Sequence, residues 1–106
     1  MIDPEKLYNK AMEAAEDWAD KDYAAGVLED GLSTLEASLI AEYKAKGEPV
    51  STVAKRVKMD PKWVSMAEAW RDARKAALVA RLKYDQINRF IDNCRTKEST
   101  ERSLAR

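Results

Sequence analysis

Cations and carboxylates are the residues that could do chemistry in this chain, because the usual catalytic and ligating types are almost missing. The sequence has no histidine and one cysteine, Cys94. Without imidazole it lacks the commonest general base, the commonest zinc ligand and every Ser-His-Asp type of triad. Cys94 alone excludes an internal disulfide, and its place among apolar residues suits a small buried group better than a nucleophile. The carboxylates Glu13, Glu16, Asp17, Asp20 and Asp22 lie close together in sequence. They lack the Glu-x-x-His partner of a metal-binding bundle, and acidic residues are common in the first turns of a long helix. No glycine-rich phosphate loop or Cys-x-x-Cys is present. The chain is therefore not expected to be an enzyme, nor to hold a cofactor or metal. What remains is binding by cations. Lys55, Arg56, Lys58 and Lys62 form one cluster, and Arg71, Arg74, Arg81 and Arg89 follow at spacings that string them along one helix.

The first cluster lies in a stretch, Val53 to Ser65, that resembles a DNA-binding helix-turn-helix. In that reading Ala54 sits where two helices cross, Val57, Met59 and Val64 point inward, and Asp60 caps the second helix. Two features depart from the motif. Lys58 holds the tight-turn position usually given to Gly, and the helical pattern that follows runs on to Cys94, far beyond a recognition helix. The other reading is a capped corner between two long helices with a solvated basic cluster.

Two long helices are the elements that must position these groups. Trp63, Met66, Trp70, Ala73, Ala77, Ala80, Tyr84, Ile87, Ile91 and Cys94 alternate in steps of three and four without a charge among them. That average of 3.5 residues marks the seam of a helix packed lengthwise on another. Leu7, Ala11, Ala14, Trp18, Ala25, Leu28, Leu32, Leu35 and Leu39 keep the same rhythm, interrupted at Lys21. Asp3-Pro4 marks the start of the first helix, expected over residues 4–46. Gly26 and Gly31 weaken its middle, each by about 1 kcal/mol relative to Ala. Gly47 and Glu48-Pro49 end it. Ser51 is expected to cap a short helix through about Val57 within a connector over residues 47–59. Asp60-Pro61 then launches the second long helix over 60–94, and 95–106 reads as a polar basic tail that continues as a frayed helix or a mobile segment.

Folding these helices together predicts an all-α fold, an antiparallel, coiled-coil-like helical hairpin in a single domain over residues 1–94. Trp18 should fall near Tyr84 and Tyr43 near Trp63, with alanines between. Residues 1–50 carry five lysines against twelve Asp and Glu, whereas 51–106 carry fourteen Lys and Arg against seven. Opposite charges flanking the seam would favour antiparallel pairing; the alternative is that the basic half binds phosphates. A two-helix hairpin buries one stripe per helix, too little to offset the ordering of so long a chain. Leu78, Val79, Leu82 and Phe90 lie off the seam and widen the dry face of the second helix. Self-association into a dimeric four-helix bundle is the expected remedy.

The pattern as a whole resembles small Ala- and Glu-rich helical-hairpin proteins encoded in bacteriophage and prophage early gene clusters, near recombination genes. The resemblance rests on Glu5 through Ala11, Leu35 through Gly47 with the Ser-led segment after it, Ala67 to Arg74, Arg81-Leu82-Lys83 and Arg89 to Arg95. It implies an accessory or host-modulating protein without catalysis, in the cytoplasm of a bacterial host. No apolar run long enough to cross a membrane is present, so no membrane partner is expected. The expected function is that of an interaction protein docking on a host or phage recombination, nuclease or defence complex such as CRISPR. The eight cations named above are its expected contact surface. Nucleic acid binding through residues 52–65 and the basic half is the alternative.

Overall fold

A computed structural model describes residues 3–105. Met1, Ile2 and Arg106, the outer ends of the expected domain and tail, lie outside the described residues. Three helices follow one another: α1 (Pro4–Ala45), α2 (Val50–Met59) and α3 (Pro61–Ala105). The antiparallel hairpin of α1 on α3 is present, with α2 tucked against its closed end.

Local chemistry sets each boundary. Asp3 Oδ1 accepts a hydrogen bond from the Glu5 amide at 3.1 Å, and Pro4 fills the first helical position, where a missing N–H costs nothing. At the other end Gly47 takes φ +88°. The Glu48 amide reaches Tyr43 O at 3.2 Å and the Gly47 amide reaches Lys44 O at 3.0 Å, the paired bonds of a Schellman ending. α2 begins at Val50, two residues before the helix that Ser51 would cap, so Ser51 lies inside its first turn; Pro49 occupies the cap position. Asp60 is extended (φ −64°, ψ 128°), which separates α2 from α3, and its Oδ1 accepts from the Lys62 amide at 2.9 Å. α3 does not stop near Cys94. It continues unbroken to Ala105, its last turns exposed on every side, with the Thr96 and Thr100 hydroxyls donating to carbonyls four residues back.

The seam follows the three-four rhythm of the sequence. Every apolar position named for it on either helix is buried or half-buried. Trp18 and Tyr84 stack at 5.6 Å between ring centroids, and the fully dry positions along the middle are Ala25, Ala67, Ala77 and Ala80. Lys21, which breaks the apolar series, is half-buried along its stem while its ammonium turns out to Asp17 at 3.0 Å. At the closed end Leu39, Val53 and Val57 form a small core, with Leu35, Ile40, Tyr43 and Trp63 packed around it. The Trp63 indole N–H is shielded there without an acceptor. No ion pair closes across the seam: among the described residues none joins α1 to α3, and four of the five pairs link residues four apart in sequence. The polar contact across the open end is Arg95, which stacks on and donates to Tyr8.

The result is a rod of 82 × 22 × 15 Å with a radius of gyration of 23.2 Å. A compact chain of this length has a radius of about 13 Å. The rod exposes 8428 Å², where a globular monomer of 12.0 kDa exposes about 6,000 Å².

Candidate interaction surface

The closed end carries the first cationic cluster. Val53 and Val57 turn inward, so Lys55 and Lys58 face solvent, as does Lys62 at the start of α3. Arg56 differs: its Nε lies 3.5 Å from Glu48 Oε1, which reduces its availability to an outside anion. Of the positions that a helix-turn-helix would bury, only Val57 is buried. Ala54 is exposed, Met59 is 76% exposed and Val64 is 38% exposed. The reason is that α2 packs on α1 through Val53 and Val57, rather than crossing a short partner helix through Ala54 and Met59.

Tyr43 and Asp60 latch this corner. The Tyr43 hydroxyl donates to Asp60 Oδ2 at 2.8 Å, tying the last turn of α1 to the first residue before α3. That bond, with the Lys62 amide second, holds the Asp60 carboxyl below its ordinary pKa; the same bond holds the Tyr43 hydroxyl above its own.

Arg71, Arg74 and Arg81 do come together. With Lys75 they edge a shallow groove between α1 and α3 whose floor includes Trp18, Ala25, Ala77 and Leu78. Helical spacing explains this: 71, 74, 78 and 81 recur in steps of three and four, so they share one flank of α3. Arg74 lies over the Trp70 ring at 5.5 Å, and Arg81 is 4.0 Å from Asp85. Among the described residues Arg71, Arg74 and Lys75 enter no ion pair. Asp22 stands on the α1 side of the groove, and Glu29 edges its continuation beside Trp70. Arg89 is exposed but lies outside the groove. Trp18, Asp22 and Lys75 are absent from the sequence-derived set. Lys75 was legible from its spacing to Arg71 and Leu78, whereas Trp18 reads as core and is half core, half groove floor.

The four apolar residues expected to mediate self-association are all exposed: Leu78 54%, Val79 43%, Leu82 56% and Phe90 44%. They spread over two grooves and the outer face of α3 between them. Leu78 belongs to the basic groove, while Phe90 lines a separate groove with Leu7, Lys10, Lys83, Gln86 and Ile87. Val79 and Leu82 point away from the seam between these two.

Comparison with protein families, with characterised proteins and with solved structures finds no match. The geometry itself therefore carries the functional reading. Among the described residues no three His, Cys, Asp or Glu side chains gather as a metal site. No described helix is long and apolar enough to cross a membrane. The arrangement sets cations, three of them without an ion pair among the described residues, around an apolar, aromatic-floored groove.

Proposed function

We propose that the chain is a non-enzymatic interaction protein that docks an acidic, amphipathic surface of another protein in the groove edged by Arg71, Arg74, Lys75 and Arg81. The observation that carries this is the meeting of three cations that enter no ion pair among the described residues, Arg71, Arg74 and Lys75, with an apolar floor of Trp18 and Leu78 in one groove. Cations at a rim steer an acidic partner and set its register, while the apolar floor supplies burial. Asp22 and Glu29 on the facing rim oppose a phosphate backbone and favour a partner that also carries a few cations of its own. The tip lysines Lys55, Lys58 and Lys62, with Arg89, would extend the basic field beyond the groove. Following the resemblance to phage early-cluster proteins, the partner class is a host or phage recombination, nuclease or defence complex, and the site of action is the bacterial cytoplasm.

The test is affinity capture from a bacterial lysate, with and without nuclease, using the intact chain and the double variant R74E/R81E. The reading expects one set of polypeptides, retained after nuclease treatment and lost with the double variant. Capture that disappears with nuclease would transfer the function to nucleic acid.

A further inference from the structure

We propose that two copies of this chain pack through the face of the hairpin opposite α2, about a two-fold axis running along the rod, with α1 of each copy lying on α3 of the other.

The need for a partner is set by area. The chain exposes 8428 Å², about 2,400 Å² more than a globular monomer of its mass, while a standard interface takes about 800 Å² from each partner. The face is set by α2. It covers the side of the closed end that buries Leu39 and Ala67, and leaves Ser38 and Ala69 exposed on the other side. That bare side continues down the rod into the groove of Leu7 and Ile87, rimmed by Phe90, Lys10 and Lys83.

The occupant is argued from charge. Along this edge α1 carries Lys10, Asp17, Ala24 and Gly31 at seven-residue intervals; α3 carries Phe90, Lys83, Ala76 and Ala69 in the reverse order at the same intervals. Trp18 stacks on Tyr84, which fixes the relative height of the two helices. Laying α1 of one copy antiparallel on α3 of another at that height brings each residue of the α1 edge within two residues, about 3 Å, of level with its α3 counterpart, so that Asp17 stands beside Lys83 and Lys10 beside Phe90. Ala24 then meets Ala76, and Gly31 meets Ala69, where small residues permit close approach. The other two-fold, across the rod, lays α3 on α3, and the α3 edge holds Lys62 and Lys83 with no carboxylate to receive them. Gly31 supports the same arrangement from the opposite direction. A glycine within a helix is destabilising, yet a Cβ at Gly31 would meet only Met66 Sδ, at an ordinary 3.6 Å. The hairpin alone does not require glycine there, and the missing Cβ leaves room for a second backbone to come close. The basic groove, on the α2 side, stays open in this dimer.

Sedimentation equilibrium of the intact chain over a concentration series reads the proposal directly. Wild type should be dimeric. F90E and K83D should each weaken the dimer by about tenfold or more with helical content unchanged, and D17K/K83D should recover most of the loss. G31A should unfold at higher denaturant as a monomer and yet dimerise less well. A wild-type chain that stays monomeric throughout, or a dimer indifferent to F90E and K83D, overturns the proposal.

Discussion

At the scale of single residues the closed end of the hairpin depends on few side chains, so each should register strongly. Leu39 is 2% exposed at the meeting point of α1 and α2. Leu39→Ala should lower unfolding free energy by about 2–5 kcal/mol, measured by urea denaturation followed by far-UV circular dichroism. The Tyr43–Asp60 latch gives a pH signature instead. Asp60 is acidified in the folded state by the Tyr43 hydroxyl, so on descending pH the unfolded chain takes up that proton first. The latch therefore contributes fully above the unfolded carboxylate pKa, and its contribution is lost as pH falls through the lower folded value. Tyr43, raised by the same bond, adds the mirror-image loss as pH rises through its folded pKa. Asp60→Asn should be less stable than wild type at neutral pH and show a shallower acid limb in melts taken across pH. An unchanged acid limb would show that the latch is not what titrates.

At the scale of elements, Gly26 and Gly31 separate helix propensity from packing. A Cβ at Gly26 would meet nothing within 4 Å, and the residue is helical. Gly26→Ala should therefore stabilise the chain by about 0.5–1 kcal/mol without changing its association, read by denaturant melts at two protein concentrations. Helices, seam and corner were legible because each rests on a local signal: Asp-Pro starts, a Gly-Pro stop, and a period of 3.5. The continuation of α3 past Cys94 was legible only as one of two options, a frayed helix or a mobile tail, because apolar periodicity ceases there while helix formation persists through Arg95, Lys97, Glu101 and the Glu98–Arg102 pair. The basic groove was legible in part. The spacing of Arg71, Arg74 and Arg81 put them on one flank, but the residues they meet, Trp18 and Asp22, come from a helix fifty residues away in sequence. Of the two readings of residues 53–65, the burial expected at Met59 and Val64 for a helix-turn-helix is not met, and the capped corner describes the geometry. Here α2 docks through Val53 and Val57, leaving Met59 exposed and Val64 partly exposed.

At the scale of the whole molecule, the sequence divides charge between its halves, yet α1 and α3 meet through alanines and aromatics with no ion pair across the seam among the described residues. The charges are therefore left on the faces, where they are open to solvent. Salt separates a role in stability from a role in binding. Raising ionic strength from about 0.05 to 0.5 M shortens the screening length to a few ångströms. It should leave the unfolding free energy of the hairpin nearly constant, because its ion pairs are exposed and contribute little. Over the same range, binding of an acidic partner in the Arg71–Arg81 groove should lose on-rate and keep most of its off-rate, since steering is screened while burial on Trp18 and Leu78 is not. A partner that dissociates faster in proportion to salt would mean that the groove floor takes no part. In that case the cations alone, tip and flank together, would be the whole of the contact.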